Sequence, residues 1–377
     1  MTNQLQQIII NKIKASANQV IDFADFMDTV LYYPDLGFYS NNYQKFGQQG
    51  HFITATTIGN ILAQSLAKQI LEIFSFSLAT NTILEIGAGS GKLASDILSL
   101  IGNEIDKLQI LELNQNLISA QKTEIYNNNP DLFHKIEWIG KLPDHFNGII
   151  IGNEVLDAIP CQRVLIDNNG QDIIGLGVGY DQNKLVDKYY NLELDIIKSI
   201  KSYELKYNNY ITEFNPSAIA FIKTIANIIN QGAVIFIDYG YGQKEYYAES
   251  KYLGRLRGFY QHQVYADFYS HLGLMDITAD VNFTEIAVNA IAAGLELIGY
   301  NYQKSFILNT IPDVIANIGS DFSKNLGDKD KIKMMNQIQT LLSPSEMGDA
   351  FKVIAFSKNI EADNWLGFNN YDISHRL

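Results

Sequence analysis

The sequence predicts a doubly wound α/β fold, a largely parallel sheet covered by helices on both faces, with an antiparallel meander inserted into it. Three observations carry this. Between residues 82 and 153, short apolar runs alternate with helical segments: "TILEIG", a helix from Lys92, "LQILEL", a helix from Gln115, "KIEWIG" and "GIIIGN". Parallel neighbours need crossover connections, which such helices supply. A glycine-rich turn follows the first run, in "ILEIGAGSGKL" at residues 83–93. Finally, "QRVLIDNNGQDIIGLGVGYDQNKLVDKYY" breaks the alternation with three strand-like runs separated by Asn-Asn-Gly and Asp-Gln-Asn, turn residues of antiparallel hairpins.

The elements divide the chain in order. Residues 1–75 read as N-terminal helices and a lid loop, "LYYPDLGFYSNNYQKFGQQGHFITATTIG", in which Pro34, Gly37, Gly47 and Gly50 interrupt regular structure. Helical spacing returns with Ile61, Leu62, Leu66, Ile70 and Ile73. Residues 76–160 form the first part of the core, and 161–207 the inserted meander. The second part, 208–300, opens with "YITEFNP" read as a core strand, then a helix over 216–230 capped by Asn215 and started by Pro216, then "AVIFIDYG". Residues 241–282 read as a long polar-aromatic loop, and loops of that length in a compact domain are usually functional. A helix over about 284–297 and the run "LELIGYNYQ" follow. C-terminal helices and a closing strand, "AFKVIAFSK", occupy 301–358, and a tail occupies 359–377.

Composition excludes several classes. A chain of 377 residues, 47% hydrophobic, can bury a large core. With 28 Lys and Arg against 41 Asp and Glu, the net charge of −13 offers no basic stripe, so no nucleic-acid partner is expected. The single cysteine, Cys161, allows neither an internal disulfide nor a cysteine-rich metal site. No run reaches membrane-spanning length, so no membrane insertion is expected. The first residues lack arginine and carry only three consecutive isoleucines, so a signal or transit peptide is not indicated, and a reducing cytoplasm is the expected location. His134, His145 and His271 lack metal-ligand spacing, and no metal is expected.

The glycine turn discriminates among cofactors. A phosphate-binding loop built on Gly91-Lys92 would need Gly at 86 and a hydroxyl residue at 93, where the chain has Ile86 and Leu93. A dinucleotide turn would need Gly at 92, where Lys92 stands. Acid-x-Gly-x-Gly-x-Gly does fit, as Glu85, Gly87, Gly89 and Gly91, the first turn of enzymes that use S-adenosylmethionine. Glycines let a ligand approach the backbone at the carboxyl edge of the sheet. Lys92 then reads as the first residue of the next helix. Glu112 ends the second strand 25 residues after Gly87, where its carboxylate can accept from both ribose hydroxyls; capping the following helix is its alternative role.

Asn153, Glu154 and Asp157 leave the strongly apolar fourth strand together at the edge where such folds bind ligands, and are the candidate catalytic residues. The alternative is that the two acids are solvated or cap locally. Glu213 and Asp238 form a second acidic set. "LELNQNLISAQK" and "TEFNPSAIAFIK" share a strand, acid, Asn, helix layout, read first as a repeated cap design. Asp238, at the end of "AVIFIDYG", is expected to face the same cleft. Arg257 and His262, in the long loop, are candidate substrate contacts, with a surface ion pair and a solvated imidazole as their alternatives.

Together these segments resemble the MidA-like family of class I S-adenosylmethionine-dependent methyltransferases, a Rossmann-like fold. The resemblance runs from about residue 30 to 358 through "FGQQGHFITA", "LEIGAGSGKL", "LELNQNLISAQ", "GNEVLDAIP", "FIDYG", "LRGFYQH", "DITADVNF" and "MGDAFKVIAF". It implies S-adenosyl-L-methionine as cofactor, held by Glu85, Gly87, Gly89, Gly91 and Glu112, with Thr54 near its methionine end. It implies a protein substrate methylated on arginine, with mitochondrial members assisting respiratory complex I assembly. The chain departs from the family at His51, usually Asp, at Thr56-Thr57, usually Pro-Glu, and at Ala88, Ser90 and Lys92 within the turn. The competing functions are a small-molecule methyltransferase, a cofactor-binding assembly factor with little turnover, and a nicotinamide oxidoreductase that Lys92 disfavours. The oligomeric state stays open.

Overall fold

The first four core strands are β1 (Thr82–Ile86), β2 (Lys107–Leu111), β3 (Ile136–Ile139) and β4 (Phe146–Asn153), all parallel, in the order β3-β2-β1-β4. The computed structural model describes residues 2–41, 58–316, 328–343, 346–361 and 364–377. The chain then leaves the core for an antiparallel sheet of β5 (Gln162–Asp167), β6 (Asp172–Asp181), β7 (Lys184–Tyr190) and β8 (Tyr210–Phe214), ordered β7-β6-β5-β8. It returns as β9 (Ile229–Tyr241), parallel to β4. A three-stranded antiparallel sheet follows, β10 (Leu256–Tyr260), β11 (Gln263–Tyr265) and β12 (Asp276–Ala279), then the short β13 (Val281–Asn282) beside β9. The core closes with β14 (Glu296–Tyr302) and β15 (Phe351–Lys358), giving β14-β15-β9-β4-β1-β2-β3. β15 runs antiparallel to both its neighbours.

Burial on both faces explains the near-continuous apolar strands. Ile83, Ile149, Ile151, Ile235, Ile237 and Val353 pack on one face beneath helices α3 (Ile61–Phe74) and α4 (Lys92–Ile101), numbering from α1 (Thr2–Ala15) and α2 (Phe23–Tyr32). Leu84, Ile150, Val234, Phe236 and Ile354 alternate with them and pack on the other. α5 (Gln115–Asn128), which precedes β3, joins the first face through Ile125, while α6 (Pro216–Ile228) and α7 (Phe283–Ala292) cover the second. Each such buried side chain contributes about 1.5–3 kcal/mol.

Helices α1 and α2 do not touch the core sheet first. Leu5, Ile9, Phe23, Phe26 and Met27 share a cluster with Val178, Met275 and Ile277, so the N-terminal layer rests on the inserted sheet and on β12. Asp22 caps α2 by accepting from Asp25 N at 2.7 Å. After α2 the chain folds back on itself, with Phe38 N and Tyr39 N donating to Val30 O and Leu31 O at 2.8 and 2.7 Å.

Two expectations change. "YITEF", read as a core strand, is β8 and pairs with β5 in the inserted sheet, its Tyr210 and Phe214 packing with Val164, Ile166 and Ile200. A short apolar run carries no signal of which sheet it joins. Residues 241–282, read as a loop, contain the β10–β12 sheet. The β10–β11 turn is Gln261-His262, both left-handed (φ 48° and 62°), where hairpins usually place Asn-Gly. The predicted cap at Asn215 is present, accepting from Ala218 N at 2.9 Å, and α6 starts at Pro216. Asn114 caps α5 the same way, so the repeated strand, acid, Asn, helix layout is a cap design. Among the described residues, no helix is long and apolar enough to cross a membrane.

Candidate active site

The carboxyl ends of β1, β2, β4 and β9 open into a cavity of about 710 Å³. That size suits a small-molecule ligand with room to spare. One end is built by the glycine turn. Gly87, Gly89 and Gly91 all adopt left-handed φ, 68°, 53° and 82°. A Cβ on Gly91 would lie 3.0 Å from Gln121 Cα, and one on Gly87 3.0 Å from Val155 Cγ2, so the turn is shaped by close approach as well as by dihedral angle. α4 begins at Lys92 as expected, and its ammonium bonds both oxygens of Asp96, at 2.8 and 2.7 Å, rather than facing a phosphate.

Glu85 and Glu112 both line this end. Glu85 is buried, and burial alone pushes its carboxyl up to about 8. Its Oε2 has no hydrogen-bond partner among the described residues. Glu112 Oε1 accepts from Leu113 N and Asn114 N, both at 2.9 Å, so the carboxylate braces its own loop while Asn114 does the capping. Gln121 ties the end together: its amide donates to Gly89 O at 3.0 Å and Glu112 Oε2 at 3.2 Å, and accepts from Trp138 Nε1 at 2.9 Å. Nothing in the sequence marked this glutamine, because its role depends on α5 crossing behind the turn.

The other end is built where β4 stops. Glu154 takes a left-handed φ of 53° and its N–H donates to Ile237 O at 2.8 Å, turning the chain sharply out of the sheet. Such a conformation is uncommon for a residue with a Cβ and marks a constrained position. Asp238 Oδ2 then accepts three successive backbone N–H groups, Val155 at 3.1, Leu156 at 2.9 and Asp157 at 3.2 Å. Asn153, Glu154 and Asp157 thereby reach the cavity together. Burial, then the charges of Asp157 and Asp276, push Glu154 up to about 8, against the Asn153 amide that donates to it at 3.2 Å. Asp157 rises to about 6 by burial, opposed by the Tyr239 hydroxyl that donates to its Oδ2. Asn153 Oδ1 and Asp157 Oδ1 have no partner among the described residues.

The remaining expected residues fall elsewhere. Asp238 does not face the cleft; it lies fully buried beneath the loop it organises. Arg257 does not line the cavity either. It pairs with Asp280 at 2.9 Å and lies 5.7 Å from the ring of Tyr239, behind that wall. His262 sits exposed in the β10–β11 turn, away from the cavity wall. Glu213 is buried apart from the main cavity, accepting from Arg255 N at 2.7 Å. Thr54, with His51, Thr56 and Thr57, lies outside the described residues.

The structure adds residues no motif had assigned: Tyr32, Phe38 and Tyr39 from the fold-back after α2, Tyr239 from β9 and Asp276 from β12. Tyr32 and Tyr39 stack, centroids 5.5 Å apart, and Tyr32 Oη donates to Ala158 O at 2.9 Å. The reading of "LYYPDLGFY" as part of a lid loop did not say which tyrosines line the cavity. Among the described residues no group of three or more His, Cys, Asp or Glu is placed to hold a metal.

A glycine turn at the edge of a β3-β2-β1-β4 sheet, an acid on the first strand, another just past the second and a polar exit from the fourth form a nucleoside-cofactor site. Residues 65–301 match the family of S-adenosyl-L-methionine-dependent methyltransferases, and the chain belongs to it. A COG1565 superfamily member from Burkholderia thailandensis, crystallised with S-adenosyl-homocysteine, is 33% identical, covers 100% of this chain and 97% of its own, and has a TM-score of 0.92. A native crystal structure of a protein of that superfamily, also from Burkholderia thailandensis, is 32% identical with the same coverage and a TM-score of 0.90. No curated protein matches the chain. The cofactor is therefore S-adenosyl-L-methionine. The residues fit it: the left-handed glycines leave the backbone open, and the unpartnered Glu85 Oε2 and the Glu112 carboxylate supply acceptors along one wall.

Proposed function

We propose that this methyltransferase modifies a cationic side chain of a protein, with arginine as the acceptor. One observation carries the reading. Asp35, Glu85, Glu112, Glu154, Asp157 and Asp276 line the cavity, and among the described residues no Lys, Arg or His does. Keeping buried carboxyl groups ionised is costly, so a cavity lined this way favours a cation over a neutral or anionic acceptor.

S-adenosyl-L-methionine supplies, when bound, a methyl group on a positively charged sulfur. Glu85, Gly87, Gly89, Gly91 and Glu112 would hold it. Glu154 and Asp157 then serve the acceptor. A guanidinium is planar and always charged, and carboxylates fix it through paired, charge-assisted hydrogen bonds. Held this way, one guanidinium nitrogen is aimed at the reacting centre, and orientation of that kind supplies much of the catalytic effect. As that nitrogen acquires its methyl group it loses a proton, which Asp157 or Glu154, both raised toward neutrality, can take up. The wider setting proposed, assembly of respiratory complex I, rests on the family resemblance.

The test is incubation of the full chain with methyl-labelled cofactor and a lysate of cells lacking it. Label in a protein band, recovered as methylarginine on hydrolysis, is expected. Label only in small molecules refutes the acceptor class.

A further inference from the structure

We propose that Gln121, oriented by Trp138 behind it, is a positioning residue of the cofactor site that aims the Glu112 carboxylate at the adenosine ribose. The assignment rests on Glu112 as the ribose acid and holds whatever the acceptor is. It starts from an exception in the pattern of α5. The buried residues of that helix are Ile118, Gln121 and Ile125, spaced about one turn apart along a single stripe, and Gln121 is the polar one, fully buried. An amide at such a place is costly unless its hydrogen bonds are made.

They are made in one orientation only. Gln121 Nε2 meets two acceptors, Gly89 O at 3.0 Å and Glu112 Oε2 at 3.2 Å, and Oε1 meets one donor, Trp138 Nε1 at 2.9 Å. An indole nitrogen only donates, and a carbonyl and a carboxylate only accept. A flipped amide would therefore set acceptor against acceptors and donor against donor. Glutamate would turn acceptors both ways, and methionine would offer no donor. Trp138 is held from β3, where it pairs in register with Ile110. Its ring lies 5.8 Å from that of Phe133 and 5.3 Å from Lys122 Nζ. The orientation is thus inherited from a neighbouring strand rather than from the glycine turn.

The amide acts on the part of Glu112 that a ligand can use. Glu112 Oε1 already accepts two backbone N–H groups, those of Leu113 and Asn114. Oε2 takes the one bond from Gln121, so capacity to accept remains there. The ribose accordingly meets the oxygen that Gln121 aims. The same Nε2 ties that oxygen to Gly89, so acid and turn are set relative to each other before a ligand arrives. Such pre-organisation raises affinity by lowering the ordering cost of binding.

The experiment measures binding of S-adenosylhomocysteine and its 2′-deoxy and 3′-deoxy derivatives to the full chain by calorimetry. Wild type, Gln121→Met, Trp138→Phe and the double variant are compared, and the melting temperature of each is taken without ligand. Wild type should bind at least one deoxy derivative about tenfold more weakly than the parent. Gln121→Met should weaken the parent about tenfold and that derivative by less than about threefold, so the discrimination is largely lost. Trp138→Phe should lose part of the same discrimination, and added to Gln121→Met it should change affinity by less than about twofold, because its effect passes through the amide. As the milder change, it also carries the test if Gln121→Met does not fold. Parent affinity unchanged in Gln121→Met overturns the proposal. Equal weakening of all three ligands, with a lowered melting temperature, makes the pair a scaffold element and overturns it too. A wild type that binds the three alike removes Glu112 as the ribose acid and the proposal with it. All these outcomes leave the acceptor reading standing, since that is decided by where the label is recovered.

Discussion

Glu154→Gln isolates the charge of the acceptor site. The amide keeps the shape and can still meet the Asn153 side chain, now 3.2 Å away, so the left-handed turn out of β4 should survive. In the free chain Glu154 sits at about 8. At pH 7, ionising it to meet a guanidinium therefore costs about 1.4 kcal/mol, at about 1.36 kcal/mol per pH unit. Removing one partner of a buried, hydrogen-bonded charge pair costs about 2–5 kcal/mol. The difference at pH 7, roughly 0.6–3.6 kcal/mol, corresponds to a loss of roughly 3- to 400-fold. At pH 9 wild type no longer bears the ionisation cost, and the loss should grow about tenfold, to roughly 30- to 4000-fold. The guanidinium stays protonated throughout, and Glu85 and Asp157 are present in both proteins, so the wild-type to variant ratio isolates Glu154. The assay is the initial rate of label transfer to arginine in the lysate at limiting acceptor, from pH 6 to 9, with S-adenosylhomocysteine affinity measured alongside. The wild-type to variant ratio should rise through about 8. A wild-type to variant ratio that is constant with pH, or cofactor affinity falling in step with rate, would refute the reasoning.

Gly91→Ala forces a Cβ onto a φ of 82° and against Gln121; strain of about 1–2 kcal/mol should appear as weaker S-adenosylhomocysteine binding and a lower melting temperature, both readable by thermal shift. Asp238→Ala orphans three backbone donors, so stability should fall by about 1–3 kcal/mol in denaturant titration, and transfer should fall further than cofactor binding because Glu154 and Asp157 lose their loop. Glu85 is raised from 4.5 to about 8, so the free folded chain holds a proton there that the unfolded chain has lost. Its contribution to stability is full below 4.5 and disappears as pH rises through about 8; in Glu85→Gln the melting temperature should fall less steeply over that window than in wild type, and equal slopes would count against a buried, raised carboxyl.

The parts of the site readable in advance were those fixed by local backbone chemistry. Glycines at 87, 89 and 91 announce left-handed turns in any context, and Asn114 and Asn215 announce caps, because each requirement is met within a few residues. Asp238 shows the limit. Its position at a strand end was read as facing the cleft, but whether a carboxylate faces a ligand or a row of backbone N–H groups depends on the neighbouring β4 exit, which a single strand does not encode. The same holds for β8 and for Arg257, whose partners lie across sheets.

The acceptor end is assembled from four separated stretches: the fold-back at 32–41, the β4 exit at 153–158, Tyr239 and Asp276. None is a motif for cation binding alone. Only when β12 places Asp276 against Tyr39, and α2 places Tyr32 over Ala158, does the excess of carboxyl groups become a property of one cavity. Net charge of −13 spread over a surface says little about a ligand, whereas acids sharing one desolvated wall bias what can enter it. The raised carboxyls at Glu85, Glu154 and Asp157 express that crowding, so a cation entering the cavity should displace protons from it. Binding heats of N-acetyl-arginine methylamide at pH 7 should therefore vary with the ionisation enthalpy of the buffer, whereas those of its neutral isostere N-acetyl-citrulline methylamide should not. A buffer-independent heat for arginine would mean that the carboxyls it meets were already ionised, and would remove the charge argument for its selection.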